Sequence, residues 1–192
     1  MPPKAKFTRE EVISAALEIV RANGEEALTA RSLGEKLGSS ARPVFTLFDS
    51  MEEIKTLVLS AAKKLYDGYV EEGLKSEIAF KGVGQSYIRF AAEQPKLFKL
   101  LFMREQSGKP DKDHILAVLD DNTEKIINSI TQGYGVNREN AKALYMHLWV
   151  YSHGLAVLIA TGVCAFTAEE ISEMLTQTFK SLITRIKTEG KL

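Results

Sequence analysis

The sequence predicts an all-α protein of about nine helices. Apolar residues recur at the three-and-four spacing of a helix face along almost the whole chain. No segment shows the alternation of apolar and polar residues between turn residues that is typical of a strand. Ser or Thr precedes several of the apolar series, and glycine follows several of them, as at the two ends of helices.

Capping signals and turn residues mark the limits of the predicted helices. Thr8 with Glu11, and Thr167 with Glu170, each form the Ser/Thr-x-x-Glu pattern of a capping box. Pro43 is tolerated in the first turn of the third helix, because a first-turn N–H has no partner within the helix. The first four predicted helices cover about residues 9–23, 30–37, 41–47 and 51–70. A fifth follows a break in the pattern at residues 82–84 and ends at residue 94. The last four cover about residues 95–102, 113–132, 138–161 and 168–187.

Composition excludes several classes of protein. The 192 residues are 45% hydrophobic and 26% charged, which is typical of a soluble globular chain and not of a disordered one. The longest apolar run, residues 154–160, is far shorter than the roughly 20 residues of a membrane span. The first residues lack the apolar core of a signal peptide, and one cysteine leaves no internal disulfide. We therefore expect a cytoplasmic protein without membrane association.

Neither a metal site nor a catalytic site is predicted. His147 and His153 are six residues apart, on different faces of one helix, and no other residue stands at a zinc-ligand spacing. The pair Gly82 and Gly84 lacks the third glycine and the preceding strand of a dinucleotide site. Cys164 has no neighbouring His or basic residue to activate its thiol. We expect no cofactor and no enzymatic activity.

The segment from Thr29 to Phe48 has the dimensions of a helix-turn-helix. It comprises a short helix, a turn that contains Gly38, and a second short helix. An ordinary hairpin of two helices has the same dimensions, so spacing alone leaves both interpretations open. We predict a helix-turn-helix domain in residues 1–50 and a larger domain in residues 51–192, joined by the helix of residues 51 to about 70.

The residues of this segment resemble those of the TetR family of transcriptional regulators. An overlay on the family's pattern runs from Phe7 to Leu59 without a gap. The pattern is matched by Leu28-Thr29-Ala30-Arg31-Ser32-Leu33-Gly34-Glu35-Lys36-Leu37-Gly38, by Val44-Phe45 and Phe48, and by Met51-Glu52-Glu53-Ile54. The resemblance implies a homodimer that places two recognition helices on a roughly palindromic double-stranded DNA operator.

Three residues depart from the family's pattern. Phe45 keeps the ring of the usual Tyr without its hydroxyl, Leu47 replaces the usual His, and Met51 replaces the usual Lys. Each change removes a contact that positions the protein on DNA. None of the three removes a contact that reads a base. The residues expected to contact DNA are Lys4, Lys6, Thr29, Arg31, Ser39, Ser40, Ala41, Arg42, Pro43, Phe45 and Thr46.

Arg42 is the leading candidate for reading a base edge. It is the only charged side chain on the predicted third helix, and arginine favours guanine. Residues 1–50 contain seven Lys or Arg and seven Asp or Glu, so bulk charge gives no support for DNA binding. We call residues 1–50 the head. Its net charge of zero and the three departures leave an alternative open: a helical dimer with weakened operator binding that acts through a protein partner.

The C-terminal part resembles one class of TetR-family ligand-binding domains. The run from Trp149 to Gly154 matches a Trp-x-x-x-His-Gly signature, and residues 87–98 match its accompanying segment. His153 is either a core histidine bonded to a neighbour or a pocket residue. The residues expected to line a pocket for a small, largely apolar effector are Tyr87, Phe90, Phe98, Met103, Met146, Trp149 and His153. Those expected at the dimer interface are Leu144, Leu148, Leu155, Ile159, Leu175, Phe179, Leu182 and Ile186.

The two resemblances imply a ligand-responsive transcriptional regulator. The expected form is a repressor that a small, largely apolar effector releases from its operator. Effector binding is expected to change the spacing of the two heads through the helix of residues 51–70.

Overall fold

The computed structural model describes residues 6–105, 115–116 and 121–191. Within these residues it contains eight α-helices, two short 3-10 helices and no strand, which confirms the all-α class. The α-helices are α1 (Arg9–Asn23), α2 (Ala30–Lys36), α3 (Met51–Leu74), α4 (Ala79–Glu93), α5 (Pro95–Phe102), α6 (Thr123–Tyr134), α7 (Arg138–Ala160) and α8 (Ala168–Glu189).

The chain divides into two units. The first unit comprises Met1–Leu65 and Gln94–Arg104, and the second comprises Tyr66–Glu93 and Glu105–Leu192. The predicted boundary at residue 50 differs from this division, because the first unit extends into α3 and also includes α5. The apolar face of α5 packs against α1, and the Arg21 Nε–H donates a 2.7 Å hydrogen bond to the buried Gln94 side chain at the start of α5.

Capping boxes start three of the helices. The Thr8 hydroxyl accepts the Glu11 backbone N–H, and the Glu11 carboxylate accepts the Thr8 N–H. Thr167 and Glu170 form the same reciprocal pair at the start of α8. Both predicted capping boxes are therefore confirmed, and Thr29 starts α2 in the same way with a serine in place of the glutamate.

The third predicted helix is a shorter element. Residues 41–47 form a turn that contains the 3-10 helix Val44–Thr46. Its bonds run three residues apart, from the Val44 N–H to the Ala41 carbonyl and from the Leu47 N–H to the Val44 carbonyl. Pro43 contributes no N–H, and α3 begins at Met51, so the chain has room for little more than one helical turn.

The predicted break at Gly82 and Gly84 is absent, because α4 runs from Ala79 through both glycines. Gly82 lies where α4 meets the end of α3: a Cβ at this position would stand 2.3 Å from the Gly73 carbonyl oxygen. The glycine permits a close approach of two helices and does not end one. The predicted helix of residues 113–132 lies partly outside the described residues. It is not one continuous helix, because a turn at residues 121–122 precedes α6, which begins at Thr123.

In the second unit, α7 packs against α4, α6 and α8. It is long and apolar enough to cross a membrane by length and composition, with 44% of the tested stretch buried inside the protein. A single helix of this kind is weak evidence for a membrane span, since the core helix of a soluble protein passes the same test.

Candidate DNA-reading turn and ligand cavity

The chain leaves α2 through a tight turn into residues 39–46, which we call the reading turn. Gly38 has a φ of +63°, and its N–H donates to the Glu35 carbonyl, while the Ser39 N–H donates to the Gly34 carbonyl. These two bonds form a Schellman motif, in which a left-handed glycine reverses the chain after a helix. The reversal starts the reading turn directly beside α2.

The reading turn touches α2 backbone against backbone. A Cβ on Gly34 would stand 2.9 Å from the Ala41 nitrogen and 3.0 Å from the Ser39 carbonyl oxygen. Val44 and Phe48 are buried in the core of the first unit and hold the other side of the turn. The turn is therefore fixed on both sides, and its outward side chains have a defined geometry.

Four side chains of the reading turn face solvent: Ser40, Arg42, Phe45 and Thr46. Phe45 is 41% exposed, although phenylalanine side chains are usually buried. The Thr46 hydroxyl donates a 2.7 Å hydrogen bond to the Pro43 carbonyl. This surface offers an aromatic ring, two hydroxyls and one guanidinium to a binding partner.

Arg42 differs from every other cation of the described head. Between residues 6 and 50 it is the one Lys or Arg that forms neither a hydrogen bond nor an ion pair with another described residue. Arg31 pairs with Glu35 at 2.9 Å, and Lys36 pairs with Glu18 at 2.7 Å. The Arg42 guanidinium is thus available to a base edge or a phosphate.

The remaining residues expected to contact DNA have other neighbours. Lys6 donates a 2.9 Å hydrogen bond to the Ser39 hydroxyl, so the start of the described chain touches the reading turn. The Thr29 hydroxyl caps α2, and Ala41 and Pro43 are half-buried. Lys4 lies outside the described residues.

Arg9 holds the two residues that directly follow the reading turn, and it was not among the residues expected from the sequence. Its guanidinium lies 4.1 Å from the Phe48 ring centroid, donates to the Leu47 carbonyl and pairs with Glu53 of α3. Two hydrogen bonds lower the pKa of the Glu53 carboxyl. The larger effect comes from the Arg9 guanidinium and the smaller one from the Asp49 N–H. A cation in the first turn of a helix opposes the helix dipole, and this was the available signal that Arg9 has a specific partner.

The second unit contains a cavity of about 250 Å³. Its walls come from α3, α4, α6, α7 and α8. Seven aromatic side chains line it: Tyr66, Phe80, Tyr87, Tyr134, Tyr145, Trp149 and Phe179. The other described residues of the wall are Ile78, Lys81, Val83, Gly84, Leu148, Ser152, Leu175, Thr176 and Lys180. A largely apolar wall with a few polar groups is typical of a small-molecule site.

The aromatic side chains hold one another in edge-to-face pairs. The Tyr66 and Tyr87 rings are 6.0 Å apart at 84°, and the Phe80 and Tyr145 rings are 6.1 Å apart at 86°. Such pairs are more favourable than face-to-face stacks. Burial raises the pKa of Tyr134, so its phenol stays neutral at physiological pH.

His153 contacts two of the residues that line the cavity, Trp149 and Tyr87. Its ring stacks on Trp149 with centroids 5.0 Å apart at 16°, as expected for residues four apart on one helix face. Its Nδ1 lies 2.8 Å from the Tyr87 hydroxyl oxygen. Burial lowers the pKa of His153, which favours the neutral ring.

The structure brings only some of the expected pocket residues together. Tyr87 and Trp149 line the cavity. Phe90 is buried in the core, with its ring 5.4 Å from that of Tyr66, and Met146 is half-buried and does not line the cavity.

Two expected pocket residues belong to the first unit. Phe98 is buried there, 5.2 Å from the Phe102 ring, and Met103 is exposed. Neither lines the cavity. Tyr66 of α3 and Tyr134 of α6 line the cavity but were not among the expected residues, since no spacing in the sequence links them to the other wall residues.

Most of the expected dimer residues lie inside the protomer. Five of the eight are buried in its core: Leu144, Leu148, Leu155, Leu175 and Ile186. Phe179 lines the cavity, while Ile159 and Leu182 are half-buried. The exposed side chains of α7 include Val150 and Leu158. The apolar periodicity therefore marked the face that each helix turns to its own protomer.

Within the described residues, no group of three or more His, Cys, Asp or Glu side chains is placed to hold a metal ion.

Comparison with known proteins gives three findings. Residues 80–184 match the family model for tetracyclin repressor-like C-terminal domains. The chain is 24% identical over 164 residues to an uncharacterized HTH-type transcriptional regulator of Mycobacterium tuberculosis, covering 83% of this chain and 73% of that protein. The crystal structure of a transcriptional regulator from Rhodococcus sp. Rha1 aligns with a TM-score of 0.55 and 14% identity, covering 93% of this chain and 97% of that one. The last likeness concerns the fold alone.

Proposed function

The chain belongs to the tetracyclin repressor-like (TetR) family of transcriptional regulators, and from this membership we propose that it is a cytoplasmic, homodimeric, ligand-responsive repressor. It binds a palindromic operator through its two reading turns and leaves it when a small, largely apolar effector fills the cavity. The observation that carries the proposal is the reading turn, which is fixed between α2 and the core and presents an unpaired Arg42.

Each reading turn enters a major groove of the operator. Arg42 donates two hydrogen bonds to a guanine edge, and Ser40 and Thr46 meet phosphates or sugars. The exposed Phe45 ring packs on an apolar part of the groove, such as a thymine methyl group. Because each head carries few free cations, affinity depends on both heads binding together, and the salt dependence is moderate.

Two helices that line the effector cavity continue toward the first unit. Helix α3 is continuous from Met51 to Leu74 and contributes Tyr66 to the cavity. Helix α4 contributes Tyr87, and directly after its end Gln94 begins the segment that is bonded to α1 through Arg21. An effector that displaces α3 or α4 thereby changes the spacing of the two heads.

The test is fluorescence anisotropy of the protein titrated into the DNA upstream of its own gene and into a scrambled duplex, at low and moderate salt. We expect preferential, salt-sensitive binding to the first duplex with two protomers per site. Arg42→Ala should weaken specific binding about ten- to hundred-fold with the dimer intact, because one bidentate base contact is worth about 1–3 kcal/mol. Lys142→Ala, an exposed change on α7, is the control and should leave binding unchanged.

The alternative of a dimer that acts through a protein partner predicts a different outcome. Both duplexes would then bind weakly and equally, and Arg42→Ala would change neither. A steep and sequence-dependent loss in Arg42→Ala contradicts that alternative.

A further inference from the structure

Among the residues that the structure describes, the charged side chains of the ligand cavity are all positive. Lys81 of α4 and Lys180 of α8 line it, and no described Asp or Glu does. Neither lysine forms an ion pair with another described residue. Each lysine directly follows a phenylalanine of the wall, and the Phe80 and Phe179 rings are 6.4 Å apart. The two lysines therefore lie next in sequence to neighbouring wall residues, where α4 and α8 approach each other.

The two lysines differ in their surroundings. Lys81 is half-buried, whereas Lys180 is exposed and also borders a shallow surface depression with Glu169 and Glu173. These carboxylates reduce the positive potential at Lys180. Lys81 is therefore the stronger site for a negative group inside the cavity.

A second polar group in the wall lacks a partner. Ser152 is only 4% exposed, lines the cavity, and forms no hydrogen bond with another described residue. Its hydroxyl oxygen is 3.9 Å from the place where a Cβ on Gly84 would stand. The Ser152 hydroxyl is therefore available to form a hydrogen bond with a polar atom of a molecule bound in the cavity.

The rest of the wall favours a ring. Aromatic side chains from five helices line the cavity, and aromatic pairs prefer edge-to-face or offset contacts that a ring ligand extends. At the packing density of organic solids, about 250 Å³ holds on the order of a dozen non-hydrogen atoms. Aromatic walls also attract cations, but the two unpaired lysines oppose a cationic ligand.

We propose that the effector is an aryl organic acid of about a dozen non-hydrogen atoms, with its ring among the aromatic side chains and its carboxylate at Lys81 and Lys180. This inference rests on the proposed function, because it names the chemical class of that effector. Removing the two lysines therefore removes the preference for an acid and leaves the affinity for the ring.

Trp149 makes binding measurable without DNA. It is the single tryptophan of the chain and lines the cavity, so its emission reports occupancy directly. The probes are 4-phenylbutyrate, its neutral amide 4-phenylbutyramide, the cation 4-phenylbutylamine, and the aliphatic acid decanoate. We expect 4-phenylbutyrate to bind about ten-fold more tightly than the amide or decanoate, and the amine to bind most weakly.

The variants locate the preference on the two lysines. In the double variant Lys81→Gln and Lys180→Gln, the acid and the amide should bind within about two-fold of each other. Affinity for the amide should stay at the wild-type level, which also shows that the cavity is folded. Lys142→Gln, on the exposed side of α7, should keep the full preference.

The inference would be overturned if the amide or the amine bound as tightly as 4-phenylbutyrate or more tightly. It would also be overturned if the double variant kept the preference for the acid. Release from operator DNA is measured separately by anisotropy. If 4-phenylbutyrate binds selectively but does not release DNA, the inference stands and the release mechanism fails. If operator binding is intact but no probe prefers the acid form, the inference fails and the proposed regulator does not.

Discussion

His153 couples the cavity wall to pH at the scale of a single residue. Its ring is stacked on Trp149, and its Nδ1 lies 2.8 Å from the Tyr87 hydroxyl oxygen. Burial lowers its pKa below the usual value of 6.5. Folding therefore favours the neutral ring, and a proton added to it must be desolvated among apolar neighbours.

We expect the second unit to lose stability as the pH falls below 6.5, the usual histidine value. A histidine whose pKa is lower in the folded state binds protons preferentially when unfolded. Its stabilising effect is complete above the unfolded pKa and is lost as the pH falls through the folded one. Urea unfolding followed by Trp149 emission at pH 7.5 and 5.5 measures this loss.

His153→Gln is the control for this pH effect. Glutamine retains a group that hydrogen-bonds to Tyr87 but does not titrate. Ion-pair hydrogen bonds lower the pKa of Glu18 and Glu72 below the ordinary 4.5, so their stabilising effects are lost only below this pH window. An equal loss of stability in the wild type and in His153→Gln would contradict the assignment.

At the scale of elements, local signals predicted most helices. Thr8 and Thr167 mark the starts of α1 and α8 because a capping box depends only on residues three apart. The start of α4 was not predictable in this way. Gly82 has the same sequence signal whether it ends a helix or admits a close neighbour, and only the contact with Gly73 decides between them.

The site was less predictable than the helices because it depends on contacts between distant segments. Trp149 and Tyr87 lie in the two segments that carry the family resemblance, and both line the cavity. Tyr66 and Tyr134 reach the same cavity from α3 and α6, and no spacing rule links them. An apolar face such as that of Leu144 looks the same in sequence whether its own protomer or a second one covers it.

Gly34→Ala tests the contact between α2 and the reading turn. Alanine gains about 1 kcal/mol in a helix interior, but its Cβ would stand 2.9 Å from the Ala41 nitrogen. Such overpacking costs about 1–3 kcal/mol. We expect a net loss of stability by circular dichroism melting and weaker operator binding, because the segment that carries Arg42 must move.

Gly68→Ala is the matched control for this change. Gly68 is an exposed glycine inside α3 with nothing within 4 Å of the added Cβ. Alanine there should stabilise the protein by up to about 1 kcal/mol and leave DNA affinity unchanged. If Gly34→Ala raised the melting temperature as much as Gly68→Ala and kept full affinity, the fixed reading turn would be refuted.

At the scale of the whole molecule, the proposed dimer needs an apolar surface that its own protomer leaves open. Val150 and Leu158 of α7 are 56% and 36% exposed, and each is four residues from the exposed Gly154. Residues four apart share one face of a helix. Apart from its own helix, no described residue has an atom within 4 Å of a Cβ added to Gly154, so this glycine allows a helix of a second copy to come close.

Gly154→Phe should therefore separate the dimer without disturbing the protomer. The Cβ of the added side chain has open space among the described residues, and its ring would occupy the space of the partner helix. We expect sedimentation velocity to show monomers at concentrations where the wild type is dimeric, while Gly68→Phe, at another open helical glycine, stays dimeric. Operator affinity should fall with the dimer, because one head makes only half of the phosphate contacts that two heads make together. If the Gly154→Phe protein remained dimeric, the interface would not lie on this face of α7. The half-buried Ile159 of α7 and Leu182 of α8 would then be the next candidates.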